Sequence, residues 1–285
     1  MDDNIQKILR ESLPERLKEI SDPPNHLYLR GEYPDQENKF LCVVGSRKYS
    51  SYGKDACREI ISGLVGYPIV IVSGLAIGID SIAHKTALDF GLKTVAVPGS
   101  GLNKDALYPA MHRGLAEQIV TSGGALISEF EPDFKSALWG FPRRNRIMVG
   151  LCDAVLVIEA EKKSGTLITA RLALDYNRDV FVIPGSIFSK SSEGINYLMK
   201  NGATPVASAD DVLEALGLKE PLENRTLFED LTNKEKEVLE YLKTPLTRDE
   251  LLEKIKMPSS DFNVLLSTLE LKNLIEEKMG KIILK

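Results

Sequence analysis

Short apolar segments recur along the chain from residue 40, and a longer amphipathic segment follows each of them. The apolar positions are consecutive rather than alternating, and the segments are residues 41–44, 69–72, 94–97, 125–127, 154–158 and 180–183. Consecutive apolar residues are typical of strands that helices cover on both faces. The pattern therefore predicts six parallel strands, with a short seventh strand near residues 204–207.

The segments between the apolar runs have the spacing of amphipathic helices. They are residues 51–65, 78–90, 110–121, 142–151, 166–177 and 191–201, and residues 210–217 add a last helix. Regular alternation of strand and helix is characteristic of a doubly wound, mostly parallel sheet with helices on both faces. We therefore expect an α/β protein with an extended Rossmann-like domain over residues 38–217.

The two ends of the chain differ from this central domain. Residues 1–37 contain four prolines, which predicts a short N-terminal arm without a core of its own, and residues 218–230 have the polarity of a linker. Residues 231–285 predict three helices, at 231–243, 247–255 and 259–272, followed by a hairpin over 274–284. Capping boxes at Thr232 and Thr247 support the first two helices. Three helices and a hairpin predict a small C-terminal winged-helix domain.

Composition narrows the classes of function. The chain has 285 residues and a formal net charge of −5, so it does not coat nucleic acid by bulk charge, and any such site must be a local basic patch. Its three cysteines form no Cys-x-x-Cys pair, and its three histidines are scattered, so we expect no metal site and a reducing compartment. No apolar run reaches membrane-spanning length and the N-terminus is acidic, so we expect a cytoplasmic protein with no membrane partner.

The segment Phe141-Pro142-Arg143-Arg144-Asn145-Arg146 places three guanidinium groups and an aromatic ring within six residues of this acidic chain. Guanidinium groups bind phosphates bidentately, and an aromatic ring offers a face on which an unpaired base can stack. The alternative is a solvated start of a helix in which Phe141 is a hydrophobic anchor. Trp139, just upstream, has the same two interpretations, as a second stacking platform or as a partly buried tryptophan.

Small residues follow most of the predicted strands. The loops contain Gly45-Ser46-Arg47, Ser73-Gly74, Pro98-Gly99-Ser100-Gly101, Ser164-Gly165-Thr166 and Pro184-Gly185-Ser186. Because all of them lie at the carboxyl edge of the sheet, where open α/β proteins bind ligands, we predict a phosphate-binding face there. Lys48, Lys162 and Lys163 extend the basic residues of this edge.

Several enzyme signatures are missing from the chain. There is no Gly-x-Gly-x-x-Gly spacing after the first strand, no Walker-type phosphate loop, no Gly-x-Ser-x-Gly elbow and no His-Glu-x-x-His. The acids nearest the sheet edge, Asp80, Glu129 and Glu159, have no spacing that suggests acid–base catalysis. We expect Asp80 to cap its helix and His84 to be structural.

Several segments, in order, resemble the DprA (Smf) family of DNA-processing proteins. They are residues 43–47, 73–84, 141–147, 164–170, 183–185, 194–198 and 201–203, and the similarity covers about residues 14–217. The resemblance implies a homodimeric, non-enzymatic, cofactor-free protein that binds single-stranded DNA, protects incoming DNA in natural transformation and loads the RecA recombinase. It also implies that Arg47 and residues 141–146 contact DNA and that Ser164, Gly165 and Thr166 form an anion-binding loop.

The chain departs from the family pattern at both ends, and two alternative functions stay open. The N-terminal segment is too short for the helical domain with which many members begin, and the winged helix is the variable part of the family. The main alternative is a nucleoside-monophosphate phosphoribohydrolase similar to the LOG proteins, but Thr169 stands where their catalytic glutamate would be. A sequence-specific regulator that uses the winged helix is the other alternative.

Overall fold

The computed structural model describes residues 5–218, 232–242, 246–255, 257–271, 274–278 and 280–284. The chain divides into two compact units, Met1–Lys219 and Glu220–Lys285. The predicted linker, 218–230, falls outside the described residues except for Leu218, as do the predicted helix ends at residues 231, 243 and 272.

The first unit is built on a nine-stranded sheet with the strand order β1-β2-β6-β5-β4-β3-β7-β8-β9. The strands are β1 (Ile5–Leu9), β2 (His26–Gly31), β3 (Lys39–Val44), β4 (Ile69–Ser73), β5 (Thr94–Ala96), β6 (Ala125–Ser128), β7 (Ala154–Val157), β8 (Asp179–Val182) and β9 (Thr204–Pro205). All pairs from β6 across to β9 are parallel, whereas β1 and β2 are antiparallel to their neighbours. The predicted α/β class and mostly parallel sheet are confirmed.

Helices cover both faces of this sheet. They are α1 (Glu15–Lys18), α2 (Ser51–Ser62), α3 (Ile79–Asp89), α4 (Arg113–Thr121), α5 (Gly140–Leu151), α6 (Gly165–Asp175), α7 (Glu193–Lys200) and α8 (Ala209–Ala215). Side chains alternate between the faces of a strand, and β3 shows why its apolar run is continuous. Phe40 and Cys42 enter the core under α5 and α6, while Leu41 and Val43 enter the core under α2 and α3.

The N-terminal segment is part of this sheet rather than an arm beside it. Strand β2 pairs with β6 and carries β1 at the sheet edge. Leu17 of α1 and Leu27 of β2 are buried in the same core as α5. The segment is indeed too short for a core of its own, but it buries its apolar side chains in the core that follows. The expected boundary at residues 37 and 38 therefore does not separate two compact units.

The described residues of the second unit form three helices and a hairpin, in the order that the winged-helix prediction requires. They are α9 (Asn233–Tyr241), α10 (Arg248–Ile255), α11 (Ser259–Leu271) and the antiparallel strands β10 (Ile275–Lys278) and β11 (Lys281–Leu284). The capping box of α9 is present: Glu235 N–H donates to Thr232 Oγ1 at 3.3 Å, and Thr232 N–H donates to Glu235 Oε2 at 2.7 Å. Val238, Leu251, Phe262 and Ile282 are in the core of this unit.

Candidate nucleic-acid interface

The carboxyl ends of β3, β4 and β7 meet at one edge of the sheet, and the loops that follow them enclose a cleft of about 480 Å³. Most of the predicted site residues line this cleft: Gly45, Ser46, Arg47, Lys48, Phe141, Arg144, Asn145, Ser164, Gly165 and Thr166. Arg143, Arg146, Lys162 and Lys163 do not line it. The structure thus brings together three segments that are far apart in the sequence, as the loop pattern predicts for a parallel sheet.

The N-terminus of α6 opens into this cleft. Ser164 caps the helix by accepting the N–H of Thr166 at 3.1 Å, and its hydroxyl donates to Thr166 Oγ1 at 2.9 Å. Thr166 Oγ1 in turn donates to the carbonyl of Gly45 at 3.2 Å, which joins the two loops. A side chain at Gly165 would meet no atom within 4 Å. The positive end of an eleven-residue helix therefore faces open space that an anion can enter.

Arg47 extends from a loop that close packing holds in place. A Cβ placed on Gly45 would lie 2.7 Å from Ile79 Cγ1, so only glycine permits this contact between the loop and α3. The N–H of Ile79 donates to Ser46 O at 3.2 Å, and the Ser46 hydroxyl accepts the N–H of Lys48 at 3.0 Å. Arg47 is exposed, and its guanidinium lies 5.3 Å from the centre of the Phe141 ring.

Phe141 is half-buried at the rim of the cleft rather than in the core. A Cβ placed on Gly99 would lie 2.6 Å from Phe141 Cδ1, so the ring packs directly on the backbone there. The Tyr108 ring lies 5.8 Å away at 54°, and it is 45% exposed. Phe141 therefore combines an anchored ring with a place on the cleft wall, and its stacking on a base stays a prediction.

Helix α5 turns Arg144 away from the other two arginines of the predicted island, because successive residues turn by about 100°. Arg144 points inward: it is 6% exposed and its Nη1 donates to Val97 O at 2.6 Å. A Cβ on Gly74 would overlap its guanidinium, so glycine is required to admit this side chain. Arg144 forms part of the cleft wall, but most of its charge is directed into the protein.

Asp80 is the buried partner of Arg144. Burial raises the pKa of Asp80, while the charge of Arg144 and the N–H groups of Ala76 and Gly74 act in the opposite direction. Burial likewise lowers the pKa of Arg144, and Asp80 opposes that change. The expectation that Asp80 caps its helix is wrong, because the residue before α3 is Gly78 and the carboxylate of Asp80 instead binds the preceding loop.

Arg143 and Arg146 are three residues apart on α5 and share one carboxylate, that of Glu129. Arg143 Nε donates to Glu129 Oε2 at 2.9 Å and its Nη2 donates to Glu129 Oε1 at 3.2 Å. Arg146 Nη2 also donates to Glu129 Oε1, and its Nη1 donates to the carbonyl of Asp22. The segment that looks cationic in the sequence is therefore largely neutralised by acids from distant positions.

The uncompensated positive charge lies beside the island. Arg47, Lys48, Lys162 and Lys163 are exposed, and none has a carboxylate within 4.0 Å among the described residues. The structure thus places free cations on the loops after β3 and β7, on either side of the α6 N-terminus. Glu161 is the acid on the same cleft wall, and it is exposed.

Other residues that the sequence singled out take structural positions. His84 is buried, its Nδ1 donates to Thr94 Oγ1 at 2.7 Å, and burial lowers its pKa to about 3. Trp139 is 55% exposed and packs against Phe130 and Phe134. Met148 and Ile168 also line the cleft, and the sequence gave no sign of it because both read as apolar positions of amphipathic helices.

The described residues offer neither a metal-binding cluster nor a membrane-spanning helix. They contain no group of three or more His, Cys, Asp or Glu side chains that are placed to hold a metal ion. Within the same residues, no helix combines the length and the apolar character that a membrane span requires.

The fold and the cleft define a Rossmann-like α/β protein that gathers basic side chains and a helix N-terminus at the carboxyl edge of its sheet. The chain belongs to the DNA recombination-mediator protein A family, whose sequence model matches residues 4–217. It is 43% identical to Protein Smf of Escherichia coli K12 over 206 residues, which cover 72% of this chain and 54% of that protein. It is also 43% identical to the DNA processing protein DprA of Streptococcus pneumoniae R6, with 72% of each chain covered.

The fold of this chain is also similar to solved structures of DNA processing protein A. The X-ray structure of DprA from S. pneumoniae superposes with a TM-score of 0.69 and 40% identity, over 74% of both chains. A structure of DNA processing protein A from Helicobacter pylori gives a TM-score of 0.66 and 30% identity, over 76% of this chain and 98% of that one. The chain spans about half the length of the E. coli relative, so the match concerns the sheet domain.

Proposed function

We propose that this protein binds single-stranded DNA in the cleft at the carboxyl edge of β3, β4 and β7. One observation carries the proposal: the open N-terminus of α6, the unpaired Arg47 and the half-buried Phe141 ring line the same cleft. Helix amides and Arg47 suit phosphates, and the ring suits an unpaired base. The H. pylori relative supports it, because its structure addresses the unique single-stranded DNA binding mode of that protein.

The family to which the chain belongs supports a role in recombination. We propose that the protein acts in the cytoplasm as a homodimer, protects incoming single-stranded DNA and loads the RecA recombinase onto it. The description of the family as recombination mediators and the names of its DNA-processing relatives support this role. Loading requires a binder that holds the strand without altering it, and a non-enzymatic site meets that requirement.

The main alternative is hydrolysis of a nucleoside monophosphate, and the acids at the cleft oppose it. Thr169, which stands where the catalytic glutamate of the LOG proteins would be, is buried in the cleft wall. Asp80 is held by Arg144 and two backbone N–H groups, so it is not placed to act as a general base. Incubation with AMP should therefore release no adenine, and release of adenine would support the enzyme instead.

The binding itself is tested by comparing single-stranded and duplex oligonucleotides across a salt series. A single strand that contacts Z phosphates through cations gives a log–log slope near −0.7Z, so Arg47→Ala should flatten the slope by about 0.7. Arg58→Ala is the matched control, because Arg58 is an exposed arginine on α2 that pairs with Asp89 and lies outside the cleft. Equal slopes for the two variants would contradict the assignment of Arg47.

A further inference from the structure

A second cleft, of about 470 Å³, lies beside the first at the same sheet edge. The surface that lines it is largely apolar, and the residues that contribute to it include six with hydroxyl groups: Ser50, Tyr52, Ser186, Ser189, Ser191 and Ser192. It includes the loop Pro184-Gly185-Ser186, which the glycine pattern places at the phosphate-binding edge and which the first cleft does not use. Serine hydroxyls both donate and accept hydrogen bonds, so they suit sugar and phosphate oxygens as well as base edges.

The loop that forms one wall presents two large apolar side chains to solvent. Phe188 is 92% exposed and Ile187 is 77% exposed. Hydrogen bonds define their turn, since the N–H of Phe188 donates to Ser186 Oγ at 3.2 Å and the N–H of Ser189 donates to Ser186 O at 3.1 Å. An exposed phenylalanine on a turn at the rim of a cleft is typical of a binding surface.

The floor of the second cleft is preformed and sets the orientation of a ligand. Glu159 is 3% exposed and accepts the N–H of Ser50 at 2.9 Å and its hydroxyl at 2.5 Å. Tyr52 donates to Pro184 O at 2.7 Å, which ties the β3 loop to the β8 loop. A carboxylate at the floor repels phosphate, so phosphates belong at the rim. Exposed Lys190 is on the loop at that rim.

The two clefts adjoin the same loop at the sheet edge. The loop after β3 borders both, with Arg47 and Lys48 at the first cleft and Ser50 and Tyr52 at the second. Strands β3, β7 and β8 are hydrogen-bonded neighbours, and such strands lie about 4.8 Å apart. A strand of a few nucleotides can therefore reach from one cleft to the other. Exposed Lys162 and Lys163 on the loop after β7 lie along this path.

We propose that the second cleft is a further subsite for the same single strand, in which a base stacks on Phe188 while the backbone follows the lysines at the rim. The proposal rests on the proposed function and extends it from one cleft to a track across β3, β7 and β8. The competing occupant of an exposed apolar pair is a second copy of this chain. The exposed lysines at the rim and the loop shared with the first cleft favour nucleic acid, because the core of a subunit interface is poor in charge.

The test compares Phe188→Ala with Ile187→Ala in the full-length protein. Both side chains are exposed neighbours on one turn, so both variants should keep the melting temperature, and only the phenylalanine offers a stacking face. Fluorescence anisotropy is measured with oligothymidylates from about 4 to about 16 nucleotides, the range of common single-strand sites. Loss of one stacked base corresponds to an affinity loss of about 5- to 100-fold for the longer oligonucleotides.

We expect Phe188→Ala to show this loss only for oligonucleotides long enough to reach the second cleft, and Ile187→Ala to match the parent at every length. Equal affinity of Phe188→Ala and Ile187→Ala at every length, with Arg47→Ala still impaired, would overturn the second subsite and leave the proposed function intact. Dissociation of an oligomer by both variants, measured by light scattering, would instead assign the surface to a second copy. No effect of Arg47→Ala would refute the proposed function itself.

Discussion

Glu129 neutralises two arginines beside the cleft. Its replacement by glutamine changes the charge of this segment while nearly preserving its shape. Glu129→Gln keeps the size of the side chain and an oxygen that can accept from Arg143 Nε, but it removes the negative charge. The side chain of Arg143 is 51% exposed, whereas those of Glu129 and Arg146 are about 10% exposed. The charge released by the substitution therefore faces solvent through Arg143, and we expect tighter binding of single-stranded DNA.

The size of the effect follows from counting cations. One additional positive charge that engages a phosphate steepens the log–log salt slope of a single strand by about 0.7. Between about 50 and 200 mM salt, a fourfold change, this slope corresponds to a change of about 2.6-fold in relative affinity. Glu129→Gln should therefore exceed the parent most clearly at low salt, and its advantage should shrink by about that factor at the higher concentration.

The substitution also has a cost in stability. Breaking a buried ion pair costs about 3–5 kcal/mol, but Arg143 is half-exposed and Arg146 keeps its contacts with Asp22, so we expect about 2 kcal/mol. For a unit of this size, that corresponds to a melting temperature about 4–8 °C lower. Glu117→Gln is the matched control, because Glu117 pairs with the buried Arg30 at 2.8 Å and lies on α4, outside the cleft.

The assay is fluorescence anisotropy with a labelled oligothymidylate across a salt series, beside a melting curve for each variant. Glu117→Gln should lose stability without any change in slope. A parental or flatter slope for Glu129→Gln, with the folded state intact at the assay temperature, would refute the argument that Glu129 masks a DNA-binding charge.

Three further predictions address other parts of the molecule. Phe141→Ala should weaken single-strand binding by about 1–3 kcal/mol if the ring stacks on a base, and a melting curve near that of the parent would separate this loss from a packing defect. The buried His84 has a pKa of about 3, below the value near 6.5 of an unfolded chain, so the unfolded state binds more protons between these values. The free energy of unfolding should therefore fall as the pH drops through this range, by up to about 1.4 kcal/mol per pH unit, and denaturant titrations of His84→Asn should lack that part of the dependence. Residues 231–285 carry equal numbers of acidic and basic residues, and the exposed face of α11 includes Asp261, Val264 and Glu270. We expect this unit to contact protein, so duplex affinity should be unchanged when the chain ends at residue 218, and low-micromolar duplex binding by residues 225–285 in physiological salt would contradict this.

Local patterns in the sequence determined the sheet and the location of the cleft. The consecutive apolar runs that became β3, β7 and β8 can be buried only between helices, and parallel strands bring their carboxyl ends to one edge. The sequence alone therefore predicted, without any knowledge of tertiary contacts, that the loops around Gly45 and Ser164 meet at one edge of the sheet. Glycine and helix-capping residues also have local signatures, so the open N-terminus of α6 was predictable.

Tertiary structure alone decided which charges are available and where the N-terminal segment belongs. Glu129 lies 14 residues from Arg143, and Asp22 lies 124 residues from Arg146, so no local pattern reveals that these acids neutralise the arginines. Arg144 adjoins its cluster in sequence, yet the turn of α5 directs it towards Asp80 and the interior. Strand β2 was missed because it pairs with β6, far along the chain, and β1 was missed because it is a partly exposed edge strand. Hydrophobic periodicity is a property of neighbouring residues, whereas ion pairing and edge-strand docking depend on distances that only the folded chain establishes.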